Sequence, residues 1–204
     1  MHLTKRFSFA IGLTFSAAAV FLLPGSSSAV DDATFRPVVE APLPEGFPDY
    51  APVGKIVVKE YPAYRMAKAD GGNSFWTLFR HIKANDIAMT APVEMQYGDA
   101  EADRPSAQTM AFLYQSTDQG KLGQQGRVDV VDVPPMTAVS IGVRGARTQS
   151  SVTQCRERLQ SWLDENKDQY EAVGELRVLG YNSPFVPRSK NFFEVEIPVR
   201  AIVR

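Results

Sequence analysis

The sequence predicts an α+β fold: two similar halves, each strand–strand–helix–strand–strand, forming one curved antiparallel sheet or open barrel flanked by two helices. Three observations carry this. Two apolar stripes at helical spacing, one opening at Phe75 and one at Val152, each lie between runs that alternate apolar and polar residues. The order of elements recurs after a Gly/Gln-rich turn at 120–126. The copies are unequal in length and only two, which makes this a duplication and not a solenoid.

The elements follow in chain order. Residues 30–54 hold five prolines (Pro37, Pro42, Pro44, Pro48, Pro52) and no periodicity, so they read as an extended leader, draped over the domain or partly disordered. Ile56-Val57-Val58 opens a strand that ends at Tyr61-Pro62, and 63–67 continues the sheet. Gly71-Gly72-Asn73-Ser74 punctuates, with Ser74 as the expected helix cap. Phe75, Leu78, Phe79 and Ile82 then mark one helical face, and 87–97 alternates with period two as a strand. Met110, Phe112 and Tyr114 close the half. In the second half, 128–133 and 138–143 are strands separated by Pro134-Pro135. Ser151-Val152-Thr153-Gln154 matches a capping box, and Val152, Cys155, Leu159, Trp162 and Leu163 form the stripe of a longer helix that should pack on the sheet. Strands at 176–181 and 193–199 complete the pattern, with Glu194 and Glu196 expected as a solvent-facing row beside buried Val195.

The chain has 204 residues, 44% hydrophobic and 22% charged, an ordinary globular composition. A formal net charge of −1 supplies no basic footprint for nucleic acid. One Cys and two His exclude an internal disulfide, a multi-cysteine zinc site and a three-histidine metal centre. Residues 1–29 combine Lys5 and Arg6, an uncharged apolar stretch, and small residues Ser27-Ser28-Ala29 before a cut after Ala29, the layout of a secretory signal peptide. An uncleaved anchor is the alternative, since the stretch approaches the lower limit of about 17 residues for a spanning helix. Cleavage would leave a mature chain from Val30 without a stable membrane anchor, periplasmic or extracellular, and with His81 as its one histidine.

The chain lacks the nucleophile-elbow, zinc-helix, phosphate-loop and dinucleotide motifs. A serine or cysteine nucleophile would need His81 as its base, and the helical phase of His81 sets it beside Ser74, Thr77 and Asn85 as a solvated surface residue. Cys155 lies in the apolar stripe and reads as core.

Three stretches together resemble the SOUL haem-binding protein family. They are Ile87-Ala88-Met89-Thr90-Ala91-Pro92-Val93 after the short aromatic helix, Gly180-Tyr181-Asn182-Ser183-Pro184-Phe185, and 188–197 with its basic turn and Asn191. The opening Glu60-Tyr61-Pro62 fits as well, so the resemblance spans about 55–198 of the domain read at 55–204. It implies a duplicated α+β barrel, binding of haem or another porphyrin, and no established catalytic residues. It also implies a shallow apolar pocket beside the first helix. The matching residues are Phe75, Phe79 and Met89, with Tyr181 nearby and Arg80, Lys83, Arg188 and Lys190 as cations for the propionates. The histidine assigned to iron in some members has no counterpart here. His81, Met89, Tyr64 and Tyr181 are the candidates left, and ligand-free porphyrin binding is equally compatible.

The expected function is therefore a non-catalytic, exported binding protein for a small-molecule tetrapyrrole. A hydrolase or isomerase of a small apolar substrate on the same scaffold is the alternative, and a buried carboxylate with a raised pKa in the pocket would favour it. A protein-interaction module would instead show an exposed apolar patch.

Overall fold

A computed structural model describes residue 32, residues 35–97 and residues 107–202. The expected signal segment lies outside the described residues. Among the described residues, no helix is long and apolar enough to cross a membrane.

The strands are β1 (Ile56–Tyr61), β2 (Tyr64–Asp70), β3 (Val93–Tyr97), β4 (Ala107–Leu113), β5 (Gly123–Gln125), β6 (Val128–Val133), β7 (Met136–Arg144), β8 (Tyr170–Ala172), β9 (Leu176–Gly180) and β10 (Phe192–Ala201). Helix α1 (Ser74–Ala84) follows β2, and α2 (Gln149–Glu165) follows β7. All ten strands join one open sheet in the order β1-β7-β10-β9-β3-β4-β2-β6-β5, with β8 added on β10. Every ladder is antiparallel.

The order is a palindrome about the β9–β3 seam, where Met95 pairs with Val178. Each half also lends its first strand to the other: β1 pairs with β7, and β6 pairs with β2. The duplication legible in the sequence is thus a pseudo-two-fold with exchanged edge strands.

Period-two alternation sends neighbouring residues of each strand to opposite faces. On one face, α2 buries Val152, Cys155 and Leu159 against Val139, Ile141, Val178, Val195 and Ile197. On the same face of the other half, α1 buries Leu78 and Ile82 against Ala67, Phe112 and Val130. Leu78 and Leu159 are fully buried, each contributing about 1.5–3 kcal/mol of apolar transfer. Residues 35–53 cross the opposite face as a strap: Phe35, Leu43, Phe47, Tyr50 and Val53 pack on Tyr61, Tyr64, Leu179 and Phe192. The strap is fixed by backbone hydrogen bonds from Ala91 N to Pro42 O and from Gly54 N to Gly142 O, 2.9 and 2.8 Å. Gly142 is required here, because a Cβ would collide with the Ala51 carbonyl.

Several expectations are corrected. Only 93–97 of the run 87–97 is strand, because the strap and the turn at Ala91-Pro92 take the place of a ladder partner for 87–92. The cap of α1 is Asn73, without a side-chain cap bond, while the Ser74 hydroxyl donates to the Gly71 carbonyl. The capping box of α2 starts three residues earlier than read: Ser151 N donates to Thr148 Oγ1 at 3.1 Å, and Thr148 N donates to Ser151 Oγ at 2.9 Å. Trp162 is only partly buried, lying beside Tyr170 at the edge of the α2 core. Glu194 and Glu196 are the largest departure, since both are fully buried. Strand β10 is central, with α2 over one face and the strap over the other, so its acids alternate into a dry layer instead of water.

Candidate functional site

A cleft of about 720 Å³ opens beside α1 over the seam where the halves meet. Its apolar wall is Phe75 and Phe79 of α1, Met89 and Ala91 of the following segment, Met95 and Met110 of the sheet, and Phe193. Phe75 and Phe79 present parallel rings, with centroids 6.3 Å apart and planes within 9°. Their i, i+4 spacing in α1 puts both on one face. Gly180 lines the floor, where a Cβ would stand 3.3 Å from the Met95 methyl; close approach, not a positive φ, is its role.

The far wall is the segment 180–193. Asn182 Oδ1 accepts from Phe192 N at 2.9 Å, and the Asn191 side chain donates to the Val186 carbonyl at 2.8 Å, closing this loop on itself. Glu40 of the strap accepts from Ser183 N and Ser183 Oγ, both at 2.7 Å. The Ser183 amide holds the Glu40 carboxyl below the usual carboxylate range against the opposing effect of burial. Arg147 and Arg188, both exposed, stand at the rim.

The structure brings Phe75, Phe79, Met89 and Tyr181 together in the cleft. Lys83 lies beside it, with Nζ 5.8 Å from the Phe79 ring centroid, whereas Arg80, whose Nε donates to Trp76 O at 3.1 Å, lines a separate depression. His81 is elsewhere, in an open depression of about 380 Å³ with Thr77, Arg80, Gln125, Arg127 and Val128. It is half-buried and not fully solvated as its helical phase suggested, and burial lowers its pKa. Tyr64 is buried away from the cleft, and Cys155 lies in the core under α2 with its thiol pushed up by burial.

Sequence reasoning missed a buried ionic cluster under the strap. Lys59 Nζ meets Glu194 Oε2 at 2.7 Å, and Ser140 Oγ donates to the same oxygen at 2.8 Å. Ala51 N donates to Glu194 Oε1 at 2.9 Å. Arg177 bridges Glu196 at 2.7 Å and Glu94 at 3.2 Å. The hydroxyls of Tyr61 and Tyr64 donate to Glu196 and Glu94, respectively. Burial, then the neighbouring Glu196 charge, pushes the Glu194 carboxyl up, while Lys59 opposes the shift. Tyr181 lies between cleft and cluster: it lines the former, and burial, then the Glu194 charge, pushes its phenol up. The cluster was hidden because its members lie far apart in the chain, and because alternating acids resemble a wet row. Met95, Met110 and Arg147 were missed for the same reason of distance.

The cleft fits a flat apolar macrocycle with carboxylate arms. Aromatic and thioether walls suit the ring, and rim guanidinium groups suit propionates. For iron, the lining offers the thioethers of Met89, Met95 and Met110, with the Met95 sulfur already accepting from Arg147. The raised pKa keeps the Tyr181 phenol neutral, which disfavours it as a phenolate ligand. Among the described residues, no cluster of three His, Cys, Asp or Glu could hold a metal ion.

Comparison with known structures shows the fold to be shared. A cryo-EM structure of an EcmrR–DNA complex is 19% identical at a TM-score of 0.58, the match covering 72% of this chain and 58% of that one. The chain thus matches less than two thirds of that relative. A crystal structure of the EcmrR C-terminal domain is 16% identical over 72% of this chain and 98% of that one, at 0.54. A structure described as a hydrolase from Listeria innocua is 14% identical over 74% and 94%, at 0.52. At these identities the likeness is one of fold alone. No curated protein matches the chain. The family described as SOUL heme-binding protein matches residues 49–198, a span that includes the end of the strap, both halves and every wall of the cleft except Glu40, Ala41 and Pro42. With all three of the resembling stretches contributing to that cleft and the family model matching most of the chain, the chain belongs to the SOUL haem-binding protein family.

Proposed function

We propose that this protein is exported and binds haem or another tetrapyrrole, without catalysing its conversion, in the cleft beside α1. Family membership suggests the tetrapyrrole role. The observation that carries the reading to this cleft is the parallel Phe75–Phe79 pair facing three methionines, with Arg147 and Arg188 at the rim. Binding rests on apolar burial and stacking, with the rim cations orienting the carboxylates. A bound haem would supply iron chemistry of its own, while the chain's residues hold and orient the ring. Absorbance titration of the purified protein with haemin and with metal-free protoporphyrin tests this. Both should bind with affinities within about tenfold, a difference of about 1.4 kcal/mol. Binding of haemin alone would contradict it.

Export is supported by Lys5 and Arg6, the uncharged stretch and Ser27-Ser28-Ala29 in order. N-terminal sequencing of protein recovered from outside the cytoplasm should begin at Val30. An intact Met1 on membrane-bound protein would instead identify an anchor.

One observation favours a second reading, proton-transfer chemistry by a hydrolase or isomerase. Tyr181 lines the cleft and feels the charge of Glu194, a buried carboxyl whose own pKa is raised. The placement of His81 and Cys155 outside the cleft supports the non-catalytic reading over it.

A further inference from the structure

We propose that the mouth of the cleft docks reversibly on an anionic lipid bilayer, with Trp76 and Phe185 entering the interface. Phe185 is 94% exposed, Trp76 58% and Phe75 38%. These rings flank one opening. Trp76 packs edge-on against Phe75 and Phe79, at 5.5 and 5.9 Å, and both of those line the cleft. Phe185 sits between Pro184 and Val186 of the opposite wall. Its turn is pinned, because Val186 N donates to Ser183 O at 3.2 Å and Glu40 holds Ser183. A large apolar side chain is therefore presented to water on a fixed support.

Charge selects the occupant. The segments 74–84, 144–148 and 182–191 frame the mouth and contain basic residues but no Asp or Glu, in a chain of net charge −1. Arg147 and Arg188 line the cleft and are exposed, as are Lys83, whose Nζ stands 5.8 Å from the Phe79 ring, and Lys190, two residues beyond Arg188. Glu40, the acid in the lining, is engaged with Ser183. Exposed aromatic rings ringed by cations match the lipid–water interface, where rings settle among headgroups and basic side chains meet anionic phosphates. Nucleic acid would use the cations but leave Phe185 without a defined role, and a protein partner would need a complementary acidic groove. The docked mouth would let an apolar ligand pass between bilayer and cleft without crossing water. The inference stands on this surface alone and holds whatever the cleft binds.

The test uses no tetrapyrrole. The chain has two tryptophans, so Trp162→Phe leaves Trp76 as the sole emitter. Its fluorescence is followed with phosphatidylglycerol/phosphatidylcholine vesicles and with pure phosphatidylcholine vesicles, each carrying brominated acyl chains. The anionic vesicles should shift Trp76 emission to the blue and quench it, and about 0.5 M salt should reverse both. Phe185→Ser should weaken the response about tenfold. If Trp162→Phe does not fold, the lipid-dependent change in the unaltered chain must vanish in Trp76→Phe. Unchanged emission with anionic vesicles would overturn the proposal, as would equal quenching by uncharged ones. A blue shift that depends on protein concentration without lipid would assign the surface to a second copy of the chain and overturn it too.

Discussion

His81 Nε2 lies 2.8 Å from the Tyr114 hydroxyl oxygen, which ties the imidazole to the sheet in a depression separate from the Phe75–Phe79 cleft. Burial pushes the Tyr114 phenol up to about 12, so it remains a neutral hydrogen-bonding partner. The one imidazole among the described residues is thus engaged with Tyr114 outside the cleft, so the proposed binding there would proceed without it.

A pH dependence follows from the lowered pKa of His81. In the unfolded chain the imidazole takes up its proton near its ordinary value of 6.5; in the fold it does so only at lower pH. The unfolded state thus binds more protons across that window, so this contribution to stability falls as pH drops through it. Denaturant midpoints measured from pH 7.5 to pH 5, roughly spanning the histidine range, should decline less steeply in His81→Asn than in the unaltered protein.

The ionic cluster under the strap should be costly to break. Arg177→Ala leaves Glu94 and Glu196 buried without their shared cation, at 1% and 0% exposure. Such a loss typically costs about 3–5 kcal/mol. Urea unfolding of the variant would show it, and a loss below about 1 kcal/mol would mean that water reaches the cluster.

Helix α2 should depend more on Leu159 than on Trp162. Leu159 is 0% exposed in the main core, whereas Trp162 lies at its margin. Leu159→Ala should cost about 2–5 kcal/mol, while Trp162→Ala should fall nearer about 1.5–2.5 kcal/mol, half of a buried aromatic's value. Thermal or urea unfolding of the two variants side by side checks the order.

The repeated element order, both helical stripes and the alternation of β7 and β10 were legible in the sequence, because each depends on neighbours within one turn or one strand. The strands β5 and β8, three residues each, were not, since pairing and not pattern defines them. The cap of α2 moved to Thr148 because several hydroxyls compete there and only backbone geometry chooses among them. What covers the second face of a sheet is a long-range property: Ala51 meets Glu194 across 143 residues, and nothing in Glu194-Val195-Glu196 announces it. Phe75, Phe79, Met89 and Tyr181, grouped by the family resemblance, line one cleft. Arg147 and the buried Glu194 behind Tyr181 needed the folded chain.

Porphyrin binding by Phe79→Ala and His81→Ala, each titrated with haemin and with metal-free protoporphyrin, tests the placement of the ligand most directly. Phe79→Ala should weaken both ligands by about tenfold or more, since burial and stacking do not depend on iron. His81→Ala should leave both affinities unchanged. The contrary result, loss of the haem absorption band in His81→Ala with Phe79→Ala indistinguishable from the unaltered protein, would place the ligand at the depression beside Tyr114 and make iron ligation the dominant force.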